Sequence, residues 1–317
     1  MVLRGEESER RARVVVFANT RSVAMLGITM AAVGGLLFSF ADAGKKALTT
    51  TFSPEAIILI TMTFGIIVNL AYLSFVGFPE VDWAASLLPV LVLGILGAVG
   101  EALFMYGLRG TDLSLATPLL ALTPVVAGVF DYLLFGHLPS STGALGVVII
   151  MLGAYLLSVK RPLRKNVLMP LIRLFTDRGC RYILLAVLIG GLLFVGQKIG
   201  FPHSSPVLFV TFTLVVNWII FAVLAFRFGF IVRDTVFNAR TAAVIFGTGL
   251  TWAGGITLVC CSFHYTLAAY ASGGQQLQIP AAIILGAVFF GEESFKQRLI
   301  AGLLMGIGVI VMVVDVS

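Results

Sequence analysis

Four charged residues lie within long apolar stretches of the sequence, where a charge is costly and usually has a function. They are Asp42, Glu101, Asp131 and Lys198. A carboxyl group in an apolar setting can carry a proton, because burial favours its neutral form. In its ionised form it can instead bind a cation. A buried lysine can instead hold an anion or pair with a carboxylate. Asp131 lies near a predicted helix end, where a solvated position explains it equally well.

Glu101 is the most informative of the four. Gly94 and Gly97 precede it on the same face of a predicted helix, and small residues mark the face at which membrane helices approach closely. We therefore expect Glu101 to point into a helix bundle as a proton-carrying or cation-binding carboxylate. The alternative is a structural partner for Lys198 or a hydroxyl group. Lys198 and Asp42 occupy equivalent positions of an internal repeat, so they could pair across a cavity, contact a charged substrate, or reach the membrane interface.

The best candidate for a substrate site is a cluster of three glutamines, Gln275, Gln276 and Gln278. The equivalent positions in the first half of the chain are all leucine, and three amides in an apolar helix need partners. A polar cavity supplies such partners, and so does hydrogen bonding between helices. Trp252 and His264 either line the same cavity or anchor helix ends at the interface. For Asn217, a single polar residue in an apolar run, packing is the default interpretation.

The composition of the chain is typical of a membrane protein. Apolar residues make up 59% of the chain and charged residues 11%, with a mean hydropathy of +1.05. A spanning helix needs about 20 mainly apolar residues, and the sequence predicts ten such helices in an all-α membrane protein. Their predicted bounds are 23–45, 55–77, 84–108, 112–135, 139–159, 182–201, 205–228, 241–265, 268–290 and 296–315.

The two halves of the chain repeat each other. Four features recur in the same order at an offset of roughly 152 to 156 residues. The matched pairs are Gly34–Phe38 with Gly190–Phe194, Ser53-Pro54 with Ser205-Pro206, Pro124 with Pro280, and Phe135-Gly136 with Phe290-Gly291. Because five is an odd number, two five-helix copies must cross the membrane in opposite senses, which is typical of secondary transporters. We expect a basic tail at 1–22, repeats at 23–159 and 182–317, and a basic amphipathic linker at 160–181.

The fourth helix of each copy carries the motifs of a known family. The first copy reads Ser114–Pro118, Leu122–Val126 and Phe135–Leu138, and the second reads Ala271–Gly274, Gln278–Pro280 and Phe290–Glu292. These runs resemble the EamA-type transporters of the drug/metabolite transporter superfamily, which have small residues, a Leu-x-Pro step and a Gly-Glu ending. The sequence departs from that pattern at His137, in place of Glu, and at Gln278, in place of Leu.

The resemblance implies a secondary transporter that moves a small metabolite by alternating access through a cavity between the repeats. Its expected partners are a small-molecule substrate, the lipid bilayer of the bacterial inner membrane, and a coupled proton or other ion. No enzyme is expected, because the sequence lacks the phosphate-loop, HExxH and GxSxG motifs, and no cofactor, metal or nucleic acid is implied. A channel and a non-transporting lipid-binding or scaffold protein are the alternatives.

The orientation in the membrane is the point on which sequence and resemblance disagree. Fifteen basic residues fall on the side of the central linker and five on the side of the termini, with Lys198 completing the 21. The excess of positive charge on cytoplasmic loops would place the linker in the cytoplasm and the termini outside. The resemblance implies cytoplasmic termini.

Overall fold

The computed structural model describes residues 2–136, 141–158, 176–228, 238–263, 265, 271, 274–292 and 295–314. The predicted amphipathic helix of the linker lies mostly outside these residues. Eleven α-helices fill the described ranges: α1 Val2–Leu48, α2 Pro54–Val76, α3 Trp83–Gly110, α4 Leu113–Leu119, α5 Thr123–Phe135, α6 Ser141–Ser158, α7 Arg178–Gly200, α8 Pro206–Phe228, α9 Ala239–Ser262, α10 Gln278–Phe290 and α11 Phe295–Val314. The protein is thus a helical, multi-pass membrane protein.

Seven helical segments in the described part of the chain are long and apolar enough to cross a membrane. They are Met25–Leu48, Pro54–Val76, Trp83–Gly110, Leu115–Leu134, Arg178–Gln197, Pro206–Arg227 and Ala239–Ser262. The three other predicted spans correspond to α6, α10 and α11, of which α10 has only 13 residues. The prediction for the first helix was too short, since α1 begins at Val2 and not at residue 23.

Capping residues define several of the helix ends. The Ser53 hydroxyl accepts a hydrogen bond from the backbone N–H of Ala56, and Asp177 caps α7 in the same way. At the other end, α5 and α10 both stop at a glycine in the left-handed conformation, Gly136 with φ 73° and Gly291 with φ 60°. The two copies therefore end their fourth helix in the same way.

The fourth span of the first half is interrupted at its centre. A 3₁₀ turn at Leu120–Leu122 separates α4 from α5, and Pro124 follows it at the start of α5. In the second half a turn at Gln276 and Leu277 precedes α10.

Helices from the two halves pack in antiparallel pairs. A Cβ atom at Gly107 of α3 would lie 2.5 Å from Ile183 of α7, whereas one at Gly196, near the other end of α7, would lie 2.5 Å from Leu93. The same reversal holds for α1 and α9, in which Gly34 contacts Val259 and Gly44, farther along α1, contacts Thr248. We call the end at which α1 and α3 finish and α7 begins the linker end of the bundle.

Candidate functional site

A cavity of about 330 Å³ lies inside the bundle between the two halves of the chain. The first half contributes side chains from α1, α2, α3, the 3₁₀ turn and α5, and the second half from α7, α8, α9, α10 and Gln275, which precedes the turn before α10. Its volume is within the range of sites for small molecules, about 300–1,000 Å³. The charged side chains that line it in the described part of the chain are Asp42, Lys45 and Glu101.

Lys45 and Glu101 form an ion pair across α1 and α3. Lys45 Nζ lies 2.6 Å from Glu101 Oε1, and the two side chains are 2% and 20% exposed. The ammonium group also lies 5.4 Å from the Trp252 ring and 5.5 Å from the Phe104 ring, distances at which an aromatic face attracts a cation. A structural pairing of Glu101 with Lys198 or a hydroxyl group was the alternative to a functional role. The structure pairs Glu101 with a different lysine, Lys45.

Asp42 lies one turn before Lys45 on α1, with 5% of its surface exposed. Its charge interacts with the charges of Lys45 and Glu101. No described residue makes a hydrogen bond or ion pair with its carboxylate. A buried carboxylate without a donor is expensive unless a ligand or a proton satisfies it. Asp42 therefore offers the cavity an acceptor that the protein itself leaves unused.

Amide side chains, beside the hydroxyl groups of Thr123 and Thr213, supply the remaining polarity. Gln275, Gln278, Gln197 and Asn217 all line the cavity, and Gln278 and Asn217 are each 6% exposed. The Asn217 oxygen is buried and has no hydrogen-bond partner among the described residues. Gln276 is outside the cavity lining, and its buried amide oxygen also has no partner in the described part of the chain. Two of the three predicted glutamines thus meet at the cavity.

The structure locates six of the eight predicted site residues by their side chains. Five of them line the cavity: Asp42, Glu101, Trp252, Gln275 and Gln278. Gln276 packs beside it. His264 lies outside the described residues, and the backbone of Lys198 belongs to α7 while its side chain lies outside the described part.

Sequence reasoning missed Lys45 and Asn217. Lys45 was counted only among the basic residues on the side of the linker, because it ends the predicted helix, whereas α1 continues to Leu48 and keeps the lysine inside, 1% exposed. The signal that could have found it is its spacing, since Asp42 and Lys45 lie three residues apart on one helix face. Asn217 is a single polar residue in an apolar helix, which usually indicates packing between helices, and only the structure shows that it lines the cavity.

Both ends of the cavity are covered by packed side chains. Large apolar residues at the linker end are fully buried, namely Ile57, Ile58, Met105, Leu108, Leu113 and Ile183. At the opposite end, the Phe201 ring contacts the rings of Phe209 and Phe263 at 5.7 and 5.4 Å. These two layers of side chains lie toward the two ends of the bundle, on either side of the cavity.

An ionic network joins the two halves at the linker end. Arg298 of α11 pairs with Asp112, which precedes α4, at 2.7 Å, and with Glu292 at 3.4 Å. The other oxygen of Glu292 accepts a hydrogen bond of 2.7 Å from the backbone N–H of Leu113, where the positive end of a helix favours a carboxylate. The Gly-Glu ending of the second copy therefore anchors the start of the fourth helix of the first.

The family model of the EamA-like transporter family matches residues 25–159. This part of the chain is an EamA-like transporter domain. It contains α2 to α6 and the spanning part of α1, and it supplies Asp42, Lys45 and Glu101 to the cavity. Family membership of this domain implies membrane transport.

Comparisons of the whole chain show its fold. One crystal structure of a protein matches with a TM-score of 0.61 and 16% sequence identity, covering 92% of this chain and 96% of the other. In all, 28 chains of known structure match. None of the curated proteins matches the sequence. The region after the EamA-like domain thus completes a fold that other solved proteins share.

Proposed function

We propose that the protein is a secondary active transporter that moves a small metabolite across a cell membrane by alternating access. The single observation that carries this proposal is the charged cavity between the two halves of the chain. A transport site must be polar enough to bind its substrate and reachable by relative motion of two bodies. A sealed apolar interior would instead have favoured a non-transporting protein.

We further propose that the two halves are inverted five-helix repeats. Short connections make consecutive helices antiparallel, so α1 and α3 run in the same direction. Because α7 is antiparallel to α3, the first helix of the second half runs opposite to the first helix of the first half, which supports an inversion. The antiparallel packing of α1 against α9 agrees with this. The pairs of contacting helices also match when the halves are exchanged. For example, the contact of α5 with α7 corresponds to the contact of α10 with α1. This arrangement would place Asp42 and Lys198 toward opposite ends of the bundle, against a pairing between them.

The two covered ends of the cavity supply the candidate gates. At the linker end, the buried apolar layer and the Arg298 network would have to separate for the substrate to leave. At the opposite end, the Phe201 cluster would have to open. Rocking of the second half against the EamA-like domain would break one set of contacts while the other forms. Glu101 would carry a coupled proton, since its protonation removes the charge that holds Lys45.

Counterflow in proteoliposomes tests this function. Vesicles loaded with a metabolite library should take up a labelled compound of that library when the protein is present, and protein-free vesicles should not. Glu101→Gln should abolish accumulation driven by a pH gradient while counterflow continues, with rates corrected for the amount of folded protein. Unchanged gradient-driven uptake in this variant would refute the proton role. A steady ionic conductance would identify a channel.

A further inference from the structure

The cavity has an excess of hydrogen-bond acceptors that no described residue satisfies. The Asn217 oxygen is buried without a hydrogen-bond partner in the described part of the chain, and the Asp42 carboxylate, which lines the cavity, makes no hydrogen bond or ion pair with a described residue. Both residues are more than nine-tenths buried and line the cavity. Buried acceptors without donors are rare in folded proteins. A ligand that brings N–H donors would satisfy both groups at once.

The charges of the cavity also favour a cation. Asp42, Lys45 and Glu101 are its charged linings among the described residues, so two negative charges face one positive charge. The positive charge is already used, because Lys45 Nζ contacts Glu101 at 2.6 Å and its side chain is only 2% exposed. The described residues of the lining thus carry one negative charge in excess, and in a low-dielectric interior such an excess favours a cation. An anionic substrate would add to the excess.

The two observations agree on the chemical class of the ligand. We propose that the substrate carries one ammonium group, which binds to the Asp42 carboxylate and donates a further hydrogen bond to the Asn217 oxygen. This inference rests on the proposed transport function. A primary ammonium group has three N–H donors, whereas a quaternary ammonium group has none for Asn217. The rings of Phe38 and Trp252, which line the same cavity, would contact an apolar body of the ligand.

Lys45 and Glu101 have a supporting role in this site. Their mutual contact keeps Glu101 engaged, so that the carboxylate left for the ligand is that of Asp42. The faces of Trp252 and Phe104 also attract the Lys45 ammonium group. The site thus separates a structural ion pair from a free carboxylate that lies one turn away on the same helix.

Three probes of one shape test the inference on the purified full-length protein. They are 2-phenylethylamine, 2-phenylethanol and phenylacetate, which share a phenyl ring and differ in charge. We expect the amine alone to raise the unfolding midpoint in a concentration-dependent way. Equal or greater stabilisation by the alcohol or by phenylacetate would overturn the inference, and so would no stabilisation by the amine.

Variants of the two acceptors then locate the binding. Asp42→Asn keeps the shape of the side chain and removes its charge, and it should weaken amine affinity by about tenfold to a hundredfold, the range for a charge-assisted hydrogen bond. Asn217→Thr, a second variant that does not depend on the first, should weaken it severalfold. Asp82→Asn is the matched control: Asp82 is exposed, caps α3 and is outside the cavity, and this variant should bind like the wild type. An Asp42→Asn protein that keeps full affinity would overturn the inference.

These outcomes are separate from those of the transport test. Asp42-dependent amine binding without counterflow would support the ligand class and contradict the transport function. Counterflow of a compound that has no amino group, with no stabilisation by the amine, would support transport and overturn the ligand class.

Discussion

Breaking the Lys45–Glu101 ion pair should destabilise the protein, and the two ways of breaking it should differ. Lys45→Met leaves Glu101 and the neighbouring Asp42 without a positive charge, and Glu101→Gln leaves Lys45 with Asp42 as its negative neighbour. The Lys45 side chain is 2% exposed and the Glu101 side chain 20% exposed. Because Lys45→Met leaves two carboxylates and no positive charge at this place, whereas Glu101→Gln leaves Lys45 beside the Asp42 carboxylate, the lysine variant is the more costly of the two.

The magnitude follows from the burial of each remaining charge. Removing one partner of a buried ion pair costs about 3–5 kcal/mol, and replacing both partners with apolar residues is often neutral or stabilising. We expect Lys45→Met to cost about 3 kcal/mol, because it leaves two carboxylates without a cation, and Glu101→Gln about 2 kcal/mol, because Asp42 stays near Lys45. The double variant should recover most of the loss, to within about 1 kcal/mol of the wild type.

Unfolding in mixed micelles with increasing denaturing detergent would measure these three free energies and give the coupling energy of the pair. Glu80→Gln is a suitable control, because Glu80 is exposed and surface substitutions usually change stability by less than about 0.5 kcal/mol. Single variants as stable as this control would show that the pair is not buried. A double variant that is as unstable as the sum of the singles would show that the two residues are not coupled.

Two further predictions concern the packing between the halves and the linker-end network. Gly35→Ala should lower the unfolding midpoint and slow transport, because a Cβ there would lie 2.9 Å from the backbone carbonyl carbon of Gln275. The control Gly247→Ala, where the space is open, should be neutral or slightly stabilising. Equal unfolding midpoints of the two variants would contradict this packing. Arg298→Met should speed the reaction of a thiol reagent, added at the linker end, with a cysteine introduced at a cavity-lining position. The reason is that it removes contacts to the start of α4 and to Glu292. Lys296→Met, an exposed neighbour, should not speed this reaction, and identical labelling rates would refute the gate.

The helices could be predicted from sequence because a spanning segment has a strong and simple signal. Ser53-Pro54 and Ser205-Pro206 mark helix starts that the structure places at Pro54 and Pro206. The start of α1 could not be predicted in this way, since the mixed charges before residue 23 suggest a tail. The break at Leu120–Leu122 was not predicted either, because those apolar residues continue the helical pattern without interruption.

The site could be predicted only in part, for a physical reason. A carboxylate such as Glu101 in the middle of an apolar helix has few explanations besides a polar interior, so the sequence reveals it. A lysine near a helix end has a cheaper explanation, since its chain can reach the headgroups. The sequence does not show that α1 extends past Lys45 and encloses it, so Lys45 was not among the partners proposed for Glu101. Which residues bind a substrate stays a prediction.

The most direct test of alternating access needs no knowledge of the substrate. A single cysteine would replace Thr213, which lines the cavity outside its charged cluster, after the buried Cys180, Cys260 and Cys261 are replaced by alanine. Reconstituted protein is then treated with a membrane-impermeant thiol reagent added to one side or the other. The account predicts that the reagent labels this cysteine from both sides, while the vesicles stay impermeable to ions. Labelling from one side only, or from neither, would contradict it.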